Sequence, residues 1–162
     1  MRYHLRRIDK EIEDKKKLVR VLKETKFITI AMIKDGKPYL ASLSHGYDEE
    51  ENCLYFHCAN EGKKLDYLRA TPTIWGQALM DYGYQKGECT HNYVTVMFEG
   101  KVTFLEKLAE KQEAFRVMIN QLESDPEPLL EKFLNSEGII DTIVCKIEIE
   151  HITGKKTPEI DL

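Results

Sequence analysis

"YFHCANEGKKLDYLR", Tyr55–Arg69, changes periodicity part-way along. Tyr55 to Cys58 reads as the end of a strand, whereas Leu65 and Leu68 share one helical face and Pro72 stops the helix. Gly62-Lys63-Lys64 sits at the junction. A strand that runs into a helix start gathers free backbone N–H groups at one point, and the helix dipole makes that point attractive to an anion. Gly62 allows close approach of a ligand, and the two lysines add positive charge that the dipole alone does not favour there. From these residues alone the stretch reads equally as a phosphate cradle or as a solvated surface turn.

Upstream, Ile12, Leu18, Val19 and Leu22 recur at helical spacing, and Asp14 is a suitable cap for a helix ending near Lys26. "FITIAMI", Phe27–Ile33, is a β-branched strand, and Asp35-Gly36 is a strong hairpin turn signal. "PYLASLSHGYD" reads as the returning strand, Glu49–Asn52 as a turn and "CLYFHCA" as a third strand, which together predict an antiparallel meander.

Downstream, "TIWGQALM" is a fourth strand, and the polar, glycine-containing segment Asp81–Asn92 reads as an irregular mobile loop. "YVTVMFEGKVTFL" is a long strand in which Gly100 marks a bulge or bend. "AEKQEAFRVMINQL" and "LLEKFLNS" are helices separated by Asp125-Pro126-Glu127-Pro128. "DTIVCKIEIEHITGK" alternates, with Ile143, Cys145, Ile147 and Ile149 on one side. Sequential strands that must hide their edges without a second sheet close into a barrel. The expected fold is a small antiparallel β-barrel of about six strands with peripheral helices, in one domain spanning 1–162. Residues 1–10 and 156–162 are expected to be flexible ends.

The chain carries 24 Lys and Arg against 28 Asp and Glu, a formal charge of −4. That balance disfavours nucleic-acid binding, which draws its affinity from excess cations. No apolar stretch has membrane-spanning length, and the basic N-terminus lacks the apolar region of a secretion signal. The expected location is the cytoplasm, with Cys53, Cys58, Cys89 and Cys145 as reduced thiols.

His57-Cys58 and Cys89/His91 are two Cys/His pairs, but their spacing matches no zinc pattern, and neighbouring strand residues point apart. No metal site is expected. A cysteine nucleophile needs a base that meets it in space, which sequence adjacency does not supply. Trp75 and the eight tyrosines read as core more readily than as a ligand platform.

"LRRIDKEI", "PYLASLSHGYD", "LYFHCANEGKKLDYLR", "YVTVMFEGKV" and "IEHITGK" occur in order at suitable spacing. Together they resemble the FMN-binding split-barrel family, also called pyridoxamine 5'-phosphate oxidase-like, in its nitroimidazole-resistance or flavin-nucleotide-binding branch. The resemblance implies a six-stranded antiparallel split β-barrel with peripheral helices, and a homodimer with FMN at its interface. It implies that Lys63 and Lys64 meet the FMN phosphate. The backbone of Ala41, Ser42, Leu43 and Ser44 would lie along the isoalloxazine ring, with His57 and Cys58 beside the ribityl chain and phosphate. Thr95 would stand where the family has a short polar residue near the cofactor. The ending "IEHITGKKTPEIDL" lacks the arginine signature of true pyridoxamine phosphate oxidases, so the name-giving reaction is not expected. The implied function is a flavoprotein that passes electrons from a reduced nicotinamide or another donor to a small acceptor: a nitro compound, a quinone or a flavin. His57 reads first as a structural residue that hydrogen-bonds the cofactor or the backbone, and it is the candidate catalytic residue, as a proton donor, in the alternative. The alternatives to this function are a non-catalytic FMN-binding electron carrier, a haem-binding relative and a deazaflavin enzyme.

Overall fold

The computed structural model describes residues 6–134 and 136–162. Helix α1, Lys15–Glu24, starts where the Asp14 carboxylate accepts the Lys16 N–H at 2.8 Å. It buries Leu18, Val19, Val21 and Leu22. Strands β1, Phe27–Lys34, and β2, Lys37–Ser44, form a hairpin in register Lys34↔Lys37. Asp35 and Gly36 both take left-handed φ, 51° and 72°, as a tight hairpin turn requires.

The second, returning strand of the expected meander is different. The chain breaks at His45 into a short β3, Gly46–Asp48, which pairs with β4, Cys53–Cys58. With β5, Thr73–Gln85, β6, Thr90–Phe104, and β7, Ile143–Lys156, these form one antiparallel sheet in the order β2-β1-β5-β6-β7-β4-β3. The two ends of that order are consecutive pieces of one stretch, Lys37–Asp48. Its first half pairs with β1 and its second half with β4, so the sheet curls back on itself without a closing ladder. Seven strands therefore stand where about six were read, because the expected returning strand is split between two sheet edges.

His45 is fully buried at the break. Its Nε2–H donates to the Leu22 carbonyl at the end of α1, 2.8 Å away. Helix α3, Leu108–Leu122, joins the same knot. The Gln121 Oε1 accepts the Tyr47 N–H at 2.8 Å, and its amide nitrogen donates to the carbonyls of Leu22 and Thr25. Gly46 lets α3 press in, since a methyl there would meet Met118 Cα and N at 2.7 Å.

Segment 81–92 is not a loop. β5 and β6 continue past their other partners as a two-stranded arm, with a register shift between Asp81 and Tyr84. His91 meets the Asp81 carboxylate at 2.7 Å, and Tyr84 packs on His91. Near Gly100 the predicted bulge is present, although the extra residue, Glu150, lies on β7. Gly100 allows this, since a Cβ there would stand 2.5 Å from the Glu148 carbonyl oxygen.

The barrel interior is filled by Ile28, Ile30, Leu54, Phe56, Leu65, Leu68, Val96, Phe98 and Ile147, among others. Phe98 occupies the space a Gly76 side chain would need, 2.1 Å from a hypothetical Cβ. A second core lies between α3 and the outer face of β4, capped by α4, Glu127–Leu134, and α5, Gly138–Asp141. Helix α2, Lys63–Ala70, closes one end of the barrel with Leu65 and Leu68.

Residues 1–5 of the expected flexible N-terminus lie outside the described residues, and Ile8–Lys10 forms a 3-10 turn. At the other end, the Thr157 N–H donates to the Tyr93 carbonyl at 2.9 Å, and Ile160 and Leu162 pack against the core. Among the described residues no helix is long and apolar enough to cross a membrane.

Burial holds the His45 imidazole below its ordinary value of 6.5. The unfolded chain then takes up this proton at a higher pH than the folded one. Stability is expected to be level above about 6.5 and to fall as pH drops below it, read as the urea midpoint across a pH series. Gly46→Ala is expected to cost about 1–3 kcal/mol in the same assay at neutral pH, because backbone and not a flexible side chain must give way.

Candidate functional site

β4 alternates, and the alternation divides its last two residues. Cys58 turns into the barrel beside Cys145, while His57 faces outward onto the Phe115 ring of α3, with centroids 5.3 Å apart. The chain then turns through Ala59–Gly62 into α2. Gly62 is the N-cap with φ 140°, a conformation that side-chain-bearing residues resist, and open space surrounds the position its Cβ would take. No side chain caps the helix. The Leu65 and Asp66 N–H groups donate to the Gly62 carbonyl, which leaves the N–H groups of Lys63 and Lys64 themselves at the open helix start.

The two lysines are held differently. Lys63 Nζ lies over the Tyr39 ring at 4.5 Å and the Tyr67 ring at 5.6 Å. Lys64 is half-buried, and its charge acts on both His57 and Cys58. Burial first, and Lys64 second, hold the His57 imidazole below the usual range, so it is neutral at neutral pH. Cys58 is shifted the other way from most buried thiols. Hydrogen bonding with Cys145 lowers it against the cost of burial, and Lys64 and Arg69 add to the lowering. Cys145, sealed deeper, is correspondingly raised.

On β2, Ser42 and Ser44 face outward, whereas Ala41 and Leu43 point into the core. Only the backbone of Ala41 and Leu43 is available to a ligand on the outer face. The Ser42 hydroxyl meets that of Thr29 at 3.0 Å. Thr95 is buried on β6, where it donates to the Ala78 carbonyl and accepts from Gln77 Nε2, each at 3.1 Å. Three strand spacings, about 14 Å, separate it from β2 along the sheet. One chain therefore brings together Lys64, His57 and Cys58 at the β4–α2 junction. Ser42 and Ser44 lie on the outer face of β2, and Thr95 does not converge with either group. Cys89 and His91 sit on the exposed β5–β6 arm, a different part of the molecule from His57 and Cys58.

Trp75 is not core. It is 42% exposed on the outer sheet face, with Phe27, Leu40 and Leu79. The alternation of "TIWGQALM" carries the signal, since Ile74, Gly76 and Ala78 take the inner face and leave Trp75, Gln77 and Leu79 outside. The contact of His45 with Gln121 has no local signal in the sequence, because it spans distant elements.

The family model for pyridoxamine 5'-phosphate oxidase matches residues 14–156. The chain belongs to that family. Among solved structures, a candidate 5-nitroimidazole antibiotic resistance protein from Bacteroides thetaiotaomicron is similar, at 23% identity and TM-score 0.77, over 90% of this chain and 85% of that one. The flavocytochrome Anf3 from Azotobacter vinelandii aligns over 99% of this chain and 76% of its own, at 18% identity and TM-score 0.79. An FAD-binding protein from Mesorhizobium loti aligns over 89% and 95%, at 20% identity and TM-score 0.65. At these identities the likeness is one of fold, the family's split barrel. A comparison with curated proteins returns no significant match.

Replacing Lys64 by Ala removes a positive charge that depresses His57. The His57 pKa is expected to rise in that variant, read by the pH titration of its ring proton resonances in NMR.

Proposed function

We propose that the protein is an FMN-binding flavoprotein that passes electrons from a reduced nicotinamide or another donor to a small acceptor. The observation that carries this is the uncapped α2 N-terminus behind Gly62, with Lys63 and Lys64 on its first turn. It offers free N–H groups, open space and two cations to one terminal phosphate, the anion FMN presents. Membership of the pyridoxamine 5'-phosphate oxidase family and the flavin-binding names of the neighbours in fold support the choice of cofactor.

Bound FMN would supply the redox chemistry, accepting and releasing electrons as a pair or singly. The chain's own residues would position it. Lys64 and the first-turn N–H groups would hold the phosphate, and Lys63 would reach it by leaving the Tyr39 ring. The backbone of Ala41–Ser44 and the hydroxyls of Ser42 and Ser44 would face the ring system. His57 would donate its N–H to a bound group, and Cys58 would stay behind it in the barrel wall. Because the whole chain is acidic, affinity has to come from these local groups and not from long-range attraction.

The outer face exposing Phe27, Leu40, Trp75 and Leu79, continued by Tyr82 and Tyr84 on the arm, is apolar surface that a second copy would bury. In this reading two chains form a homodimer with FMN between them, which is where Thr95 would meet cofactor. Four free cysteines suit a cytoplasmic setting.

The test is the Lys63→Ala/Lys64→Ala double variant. Loss of two charge-assisted contacts, about 3 kcal/mol in total, is expected to weaken FMN binding roughly a hundredfold with the circular dichroism spectrum unchanged. A full flavin complement in the purified double variant would overturn the phosphate assignment. A Soret band in place of flavin bands in the wild type would overturn FMN in favour of haem.

A further inference from the structure

The outward turn of His57 gives it a second neighbourhood, away from the α2 cradle. A cavity of about 250 Å³ lies between His57 and the α3–α4 pair. Phe115 and Phe133 form its aromatic side, and aliphatic side chains of both helices complete the apolar wall. The polar groups lining it are Ser44, at the end of β2, His57 and Glu123. The rings run in sequence: His57 to Phe115 at 5.3 Å and 33°, then Phe115 to Phe133 at 5.9 Å and 24°.

Size and charge select the occupant. An apolar cavity of about 150 Å³ holds benzene, and pockets for drug-sized ligands begin near 300 Å³. The present cavity lies between the two and suits one substituted ring, not a fused tricyclic flavin. No lysine or arginine lines it, and Glu123 adds a negative charge, so an anion gains nothing there. A flat ring matches the stacked aromatic wall, and an acceptor atom on it would meet the N–H of His57.

We infer that this cavity, which adjoins the proposed flavin site at Ser44 and His57, is a binding site for a small, uncharged, planar ring carrying a hydrogen-bond acceptor, packed against the Phe115–Phe133 wall and oriented by His57. Nitroarenes and single-ring quinones belong to this class. That the ring is the electron acceptor rests on the flavin reading above, whereas the binding itself does not. Ser44 joins the two, since it ends the β2 segment assigned to the flavin ring and also lines the cavity.

The test titrates 4-nitroanisole into flavin-free protein, following the His57 ring resonances by NMR and the affinity by calorimetry. Saturable binding that shifts His57 is expected. Phe133, partly exposed, is truncated without opening the main core, and Phe133→Ala is expected to weaken binding about tenfold. The same ring as 4-nitrobenzoate is expected to bind at least about tenfold less tightly. No saturable binding, an unmoved His57, or equal affinity for wild type and a folded Phe133→Ala variant would overturn the site. If FMN fails to bind but the ring still does, the cavity stands and the flavin reading falls. If FMN binds and the ring does not, the cavity alone falls.

Discussion

One stretch of chain, Lys37–Asp48, has to satisfy hydrogen-bonding edges at both ends of the strand order, and the rest of the structure is arranged around that demand. A strand cannot serve two edges without a break, and a break in a sheet leaves backbone groups to be satisfied. The break comes at His45, and the groups around it are met from three directions. The last turn of α1 offers the Leu22 carbonyl, α3 offers the Gln121 side chain, and the imidazole fills the gap. The His45 Nδ1 has no partner among the described residues. A buried acceptor without a partner is the residual cost of this junction.

The same alternation that builds the wall also sorts its chemistry. At the end of β4, one residue's difference in position sends Cys58 into the barrel and His57 out to α3. Lys64 sits close enough to influence both, and it acts on them through charge in a consistent sense: each is biased towards its deprotonated form. A neutral imidazole and a cation therefore stand side by side at the mouth of the α2 helix. In the proposed reading, that pairing would separate the task of holding an anion from that of donating a directed hydrogen bond.

Much of this was legible where the signal is local. Asp14 as a cap, Asp35-Gly36 as a hairpin turn, Gly100 as a bulge site and Gly62 before a lysine-led helix each depend on neighbouring residues, and each formed as read. What failed to show depends on partners far along the chain. Nothing near His45 announces that β3 will leave β1 for β4. The arm was hidden by its composition, since Gly83, Gly87 and polar residues obscure a ladder that needs only its own two strands. α5 is four residues long and has no periodicity to detect. Lys111 holds it by donating to the Ile140 and Thr142 carbonyls, a contact across a wide sequence gap. Of the candidate site, the junction Lys64–His57–Cys58 was legible because it is contiguous. The α3–α4 wall facing His57 was not, because it comes from residues far beyond it in sequence.

The Phe98 ring lying under Gly76 has a wider meaning. With Phe56, Ile28 and Ile30 it packs the barrel interior with side chains. The ligands proposed for this protein would then bind outside the barrel. Capture and release of such a ligand would proceed while every strand stays paired, and its lifetime would be set by the contacts that close over it from outside, independently of how slowly the barrel itself unfolds.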